Sequence, residues 1–128
     1  MIPEDLKYTR DHEWVKMEGG EAVIGITEHA QKELGDITFV ELPETGADVS
    51  KGDGFATIES VKAASDVYAP VSGKVSAVNE ELESSPELIN RYPYGQGWIC
   101  KINVDGDPGA EGLMDAEAYA QFLEENEQ

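Results

Sequence analysis

Apolar residues along this chain come in short runs, many alternating with polar ones, and the gaps between runs are filled by Gly, Pro, Asn and Asp. Alternation at period two is the pattern of a strand with one buried face. It predicts extended segments at Leu6–Thr9, Trp14–Met17, Ala22–Ile26, Ile37–Glu41, Gly54–Glu59, Asp66–Tyr68, Gly73–Val78 and Trp98–Val104. Their recurrence at roughly ten-residue intervals is the rhythm of a β-sandwich or small barrel. Two stretches break that rhythm. Glu28–Leu34 follows Thr27, a good N-cap, and stops at Gly35. Residues 116–124 follow Asp115 and set Tyr119, Phe122 and Leu123 at i, i+3 and i+4, an apolar stripe that predicts a C-terminal helix, over 115–125, packed on a sheet. A further helical turn is expected at Pro86–Ile89, and Glu124–Gln128 is expected as a solvated, fraying end. No linker divides residues 1–128, so the expectation is a single, mainly β domain.

Between Pro43 and Leu82 the pattern has a crude symmetry about Lys62. A turn at Lys51-Gly52-Asp53-Gly54 leads into Phe55-Ala56-Thr57-Ile58-Glu59, and Asp66-Val67-Tyr68-Ala69 leads out to the turn Pro70-Val71-Ser72-Gly73. Two such arms predict strands that rise to an exposed hairpin and return to glycine turns at similar depth, with Lys62 at the tip. Its surroundings, Glu59-Ser60-Val61-Lys62-Ala63-Ala64-Ser65-Asp66, are small residues bracketed by carboxylates, which leave the ε-amine open to a modifying enzyme. A lone exposed lysine is usually only a solvated charge, so the spacing alone does not assign it a role.

Charge changes the picture by exclusion. Nine Lys and Arg against 27 Asp and Glu give a formal net charge of −18 over 128 residues, which would repel a phosphate backbone, so nucleic acid is excluded as a partner. So acidic a surface serves solubility, with steering toward basic docking faces as the sharper alternative. The single cysteine, Cys100, lies in the apolar run Gly97-Trp98-Ile99-Cys100-Lys101-Ile102 and reads as a buried structural thiol in a reducing compartment. The N-terminal residues have the build of neither a signal peptide nor a transit peptide, and no run approaches the roughly 18 apolar residues of a membrane span. A protein free of the membrane is expected, monomeric, in a bacterial cytoplasm or, if eukaryotic, the mitochondrial matrix.

Glu59-Ser60-Val61-Lys62-Ala63 resembles the lipoylation motif of glycine cleavage H-proteins and continues in that style through Ala64-Ser65-Asp66-Val67-Tyr68-Ala69-Pro70-Val71-Ser72-Gly73. Asp11-His12-Glu13-Trp14-Val15, Gly25-Ile26-Thr27-Glu28-His29-Ala30-Gln31, Leu34-Gly35-Asp36-Ile37 and Phe39-Val40-Glu41-Leu42-Pro43 resemble the family in the same order. Pro86-Glu87-Leu88-Ile89-Asn90, Pro93-Tyr94-Gly95 and Gly97-Trp98 extend the likeness over nearly the whole chain.

The resemblance implies a lipoyl/biotinyl-like barrel-sandwich hybrid of two small antiparallel sheets, with a short internal helix and a C-terminal helix. It implies a non-catalytic carrier with lipoic acid in amide linkage on Lys62. The arm would take the aminomethyl group of glycine from P-protein, a pyridoxal-phosphate decarboxylase, to T-protein, the aminomethyltransferase of one-carbon metabolism. L-protein, dihydrolipoamide dehydrogenase, would then reoxidise the dithiol. A tether of about 15 Å, from bond lengths near ~1.5 Å, would let the arm enter a cleft. Asp11, His12, Glu13 and Asp66 are the candidates for a cleft that holds the loaded arm, against the plainer reading of carboxylates on a solvated face. Glu59 and Gly73 are candidates for recognition by a lipoyl ligase or transferase, with turn geometry as the plainer reading of Gly73.

Four rivals fit less well. Biotinyl domains carry Met-Lys-Met where Val61 and Ala63 flank Lys62, and dehydrogenase lipoyl domains favour Asp-Lys-Ala within longer chains. A Schiff-base enzyme would need a desolvated lysine, which a tip beside Glu59 and Asp66 does not offer. A lipoate-relay protein, donating its lipoyl group to other apoproteins, is the closest alternative. His12 and His29 lack companions at ligand spacing, so no metal site is expected. Lys51-Gly52-Asp53-Gly54 reads as a turn rather than a phosphate loop, and Trp14 and Trp98 as packing residues.

Overall fold

The computed structural model describes residues 2–104 and 113–126. The chain enters through β1 (Lys7–Tyr8), the hairpin β2 (Glu13–Glu18) and β3 (Glu21–Ile26), and the helix α1 (Glu28–Leu34). Then come β4 (Ile37–Glu41), β5 (Asp48–Val49) and the hairpin β6 (Gly54–Ser60) and β7 (Ala64–Tyr68). The last elements are β8 (Gly73–Val78), two single-turn helices α2 (Glu81–Ser84) and α3 (Leu88–Arg91), β9 (Cys100–Val104) and α4 (Ala116–Asn126).

All pairings are antiparallel. One sheet has six strands in the order β1-β2-β3-β9-β8-β5, and the other has three in the order β4-β6-β7. Burial follows the alternation: Val15, Ile24, Val75 and Ile102 from the first sheet meet Val40, Ile58 and Val67 from the second in one core. This is the barrel-sandwich architecture expected, with unequal sheets. Cys100 is fully buried in that core, and burial pushes its thiol up to about 12, which fits a structural thiol. No helix among the described residues is long and apolar enough to cross a membrane.

A second cluster joins Leu6, Tyr8, Trp14 and Val23 to Tyr119, with Phe122 and Leu123 packed against it. The stripe on α4 therefore buries as its spacing predicted. Tyr8 and Tyr119 stack at 4.6 Å with planes 6° apart, and Tyr8 exchanges backbone hydrogen bonds with Met114 at 2.8 and 2.7 Å. Trp14 is buried with its indole N–H on the Pro93 carbonyl at 2.8 Å, while Trp98 is half-buried beneath the Lys101 ammonium.

Five elements depart most from expectation. β5 and α2 lie where no element was expected, because two residues give β5 no period and Leu82 is the single buried residue of α2. The turn expected at Pro86–Ile89 becomes helical two residues later, at Leu88–Arg91. β9 begins at Cys100 rather than Trp98, because the Trp98 carbonyl accepts from Asn79 Nδ2 at 2.8 Å instead of joining a ladder. α4 continues through Asn126, past the Glu124 at which fraying was expected, while residues 127 and 128 lie outside the described residues.

Candidate functional site

The β6–β7 hairpin carries the predicted tip. Glu59 pairs with Ala64, and Val61-Lys62-Ala63 turn the chain. Ser60 shapes that turn: its hydroxyl oxygen accepts from the Lys62 and Ala63 amides at 3.2 and 3.1 Å, and its own amide donates to the Ala63 carbonyl at 2.8 Å. At the hairpin base the glycine turns meet as the symmetry predicted, with Gly52 N–H on the Ala69 carbonyl and Lys51 N–H on Ser72 Oγ, both at 2.8 Å.

Lys62 is exposed, yet its side chain lies along a defined path. Its Nζ reaches 3.5 Å from the Glu33 carbonyl, one of the acceptors left open at the C-terminal end of α1. Gly35 lies beneath the aliphatic stem. It has φ +79°, and a Cβ there would stand 3.2 Å from Lys62 Cε. Glycine is thus needed at the α1 stop for its backbone and for the room it leaves. Asn90 fixes that corner, donating to Gln31 Oε1 and the Gly35 carbonyl at 2.8 and 2.9 Å while accepting from Ile37 N–H at 2.9 Å.

Beside this corner opens a cleft of about 210 Å³, walled by α1 on one side and by β7 and the start of β2 on the other. Asp11, His12, Glu13 and Asp66 all line it, so the four candidates drawn from two distant motifs meet in one place. Glu33 and Leu34 line it too, which puts the lysine amine at the rim. Asp11 and Asp66 are exposed at the mouth. Glu13 is not a solvated carboxylate: it is 2% exposed, with Oε1 accepting from Thr9 Oγ1 at 2.6 Å and Oε2 from Tyr68 N–H at 3.0 Å. The Tyr68 bond crosses from one sheet to the other.

Burial raises the Glu13 carboxyl from the ordinary 4.5 to about 7, against the lowering effect of its two hydrogen bonds. The linkage has a definite sign: with the folded value raised, Glu13's stabilising contribution is full below about pH 4.5 and is lost as pH rises through about 7. A displacement of this size corresponds to about 3 kcal/mol. Urea unfolding of wild type and Glu13→Gln at pH 4.5, 6 and 8 should show the wild type losing about that much relative to the variant. Parallel pH profiles would refute it.

His12 has φ +68°, and its Nδ1 lies 2.8 Å from the Tyr119 hydroxyl, which is itself 2.8 Å from Thr27 Oγ1. Its ring sits 4.5 Å from that of His29, whose Nε2 is 3.5 Å from Glu33 Oε1. The two histidines that the sequence separates by a strand are therefore neighbours, and no cluster of three or more metal-ligating side chains occurs among the described residues. The roles of Glu33, His29 and Tyr119 were missed from the sequence. His29 and Glu33 stand at i and i+4 on α1 beside a known motif, a usable clue; Tyr119 had none.

Glu59 is exposed on β6 close to the tip. Gly73 is elsewhere, in the six-stranded sheet between Val49 and Val104. A Cβ there would stand 2.3 Å from the Asn103 carbonyl oxygen, so close strand packing accounts for this glycine better than turn geometry does.

The model of the glycine cleavage H-protein family matches residues 6–126. A glycine cleavage system H protein of Carboxydothermus hydrogenoformans is 54% identical over 125 residues, covering 98% of this chain and 96% of its own. One of Rubrobacter xylanophilus is 56% identical over 126 residues, covering 98% of each. The crystal structure of a glycine cleavage system H protein from Mycobacterium marinum matches 99% of this chain and 100% of its own, with a TM-score of 0.83 at 36% identity. With this agreement in sequence and in three dimensions, the chain belongs to the glycine cleavage H-protein family.

Proposed function

We propose that this protein is the lipoyl carrier of the glycine cleavage system, with lipoic acid in amide linkage on Lys62 Nζ. The observation that carries the reading is the position of that nitrogen, at the tip of an exposed hairpin and 3.5 Å from the Glu33 carbonyl, at the rim of the cleft that Asp11, His12, Glu13 and Asp66 line. When bound, the dithiolane supplies carriage of the aminomethyl group from P-protein to T-protein and a dithiol for L-protein to reoxidise.

The chain's own residues bind and orient. Lys62 offers a primary amine to a lipoyl ligase or transferase, and its small neighbours keep the approach open. Glu59, exposed beside the tip, is the candidate contact for that enzyme, whereas Gly73, packed against Asn103 in the six-stranded sheet, is the weaker candidate. An amide on Nζ keeps one N–H that can still donate to the Glu33 carbonyl, so the arm starts on the rim. Asp11 and Asp66 at the mouth and Glu13 at the wall suit a protonated amine, a charge-assisted arrangement that a partly desolvated cleft strengthens. On this reading the chain's residues bind and orient the arm while the partner proteins make and break the bonds, the part of a carrier and not of an enzyme. A bacterial cytoplasm is the location this reading implies.

Peptide mass spectrometry on protein purified from its native host tests the attachment. The tryptic region from Gly52 to Lys74 should carry lipoyl mass on Lys62, resist cleavage there, and show two thiols alkylated only after reduction. An unmodified Lys62 from a lipoate-competent host would sink the proposal.

A further inference from the structure

Tyr119 comes to the cleft from 107 positions away along the chain and ends in a line of three polar groups: Thr27 Oγ1, the Tyr119 hydroxyl and His12 Nδ1, each step 2.8 Å. Counting hydrogens gives the line a direction. Thr27 is fully buried, and its oxygen already accepts the Ala30 N–H that caps α1. Its own proton has one acceptor within reach among the described residues, the Tyr119 oxygen. A buried hydroxyl does not keep its proton unshared. Thr27 therefore donates to Tyr119, and the single phenolic proton of Tyr119 goes to His12 Nδ1, which must be the bare nitrogen.

We infer that Thr27 and Tyr119 hold His12 as a neutral imidazole with its proton on Nε2, so that the cleft wall places no positive charge beside a cationic group lodged there. This rests on the reading of the cleft as the seat of a primary ammonium carried by the arm. Tyr119 acts through His12 and is a positioning residue. Nε2 has no protein partner among the described residues, and no buried side-chain polar atom among them lacks one, so Nε2 lies on the accessible edge of a ring that borders the cleft.

Placing a second proton on His12 would reverse both hydrogen bonds and leave the Thr27 proton without an acceptor in the core. The groups around the ring set the remaining balance. Burial and the neighbouring His29 lower its pKa and outweigh Asp11 and Glu33, which favour the charged form. Glu13 follows in the chain and Asp66 faces it across the cleft. On the α4 side Phe122 separates it from the Arg10 guanidinium, which sits 5.9 Å over that ring. With a second proton on His12, the wall nearest the mouth carboxylates would repel the cation that those carboxylates attract.

Nitrogen-15 NMR of the histidine rings in the unmodified full chain tests the tautomer without any cofactor. Wild type and Thr27→Ser should show a bare Nδ1 and a protonated Nε2 for His12 and should take up the second proton only below the ordinary 6.5. Thr27→Val and Tyr119→Phe should lose that preference and titrate higher, toward the ordinary 6.5. A protonated Nδ1 in the neutral wild-type ring, or a titration that neither variant moves, overturns the inference; should Tyr119→Phe fail to fold, the Ser and Val pair at position 27 decides it. On lipoylated protein, the lifetime of the ammonium-bearing arm, read from ammonia release, should shorten in Tyr119→Phe below about pH 6.5 and match wild type at about pH 8, where His12 is neutral in every variant. A lifetime shortened by Asp66→Asn but untouched by Tyr119→Phe overturns the role of His12 and leaves the cleft reading standing. A lifetime that neither changes overturns the cleft reading, and with it the role given to His12.

Discussion

Lys62→Arg should abolish lipoate incorporation and every glycine-dependent transfer that relies on it, while leaving the fold as it is. A guanidinium keeps the charge and the length of the lysine but does not form a stable amide with an activated acyl group, so the loss should reach background. The fold should not respond, because the turn is built by Ser60 and the backbone of Ala63, and the side chain at position 62 is exposed. Surface changes of this kind move stability by no more than about 0.5 kcal/mol. Intact-mass measurement after incubation with a lipoyl ligase, together with a thermal melt, reads both halves. Any lipoyl mass on the variant would show that another amine serves, and the hairpin tip would lose its assignment.

Gly73→Ala should cost about 3 kcal/mol of stability, the upper part of the usual range for overpacking. Its Cβ would meet the Asn103 carbonyl oxygen at 2.3 Å and Ile102 Cγ2 at 2.7 Å, and the first of these is backbone in the adjacent strand, which has no rotamer to escape into. Denaturant titration measures the loss. The same variant separates two roles for this glycine: ordinary lipoylation of the folded fraction would make it a packing residue, whereas unchanged stability with impaired lipoylation would make it a recognition residue.

The parts of the fold that could be read from the sequence are those where one local rule decides. Thr27 and Gly35 bound α1 because one side chain caps its first turn and one backbone takes φ +79° at its end. The tip at Lys62 was legible because the strands on either side carry matched turns. Glu13 was harder. It sits in a motif with Asp11 and His12 that reads equally well as a charged surface loop, and only the approach of Tyr68 N–H from the other sheet explains its burial. The cleft was half legible: the resemblance supplied its four carboxylate and imidazole members, but the wall contributed by His29 and Glu33 depends on how α1 lies against β7. The Tyr119 contact could not be read, because α4 was placed on a sheet by its apolar stripe and a stripe says nothing about where a phenolic oxygen points.

The placement of β9 has a consequence for how the molecule is made. It lies between β3 and β8 in the six-stranded sheet, so the strand that joins the two halves is the last in chain order of the nine among the described residues. A growing chain can close the β2–β3 and β6–β7 hairpins early, since their partners are near in sequence. It cannot join β3 to β8 through β9 until residues 100–104 have left the ribosome, and the Tyr119 phenol arrives later still. Long-range closure of this kind slows folding and postpones it to the end of synthesis. A nascent chain can therefore expose Lys62 on its hairpin well before the six-stranded sheet is whole and before Tyr119 reaches His12, and only the finished molecule holds the tip beside a completed cleft wall.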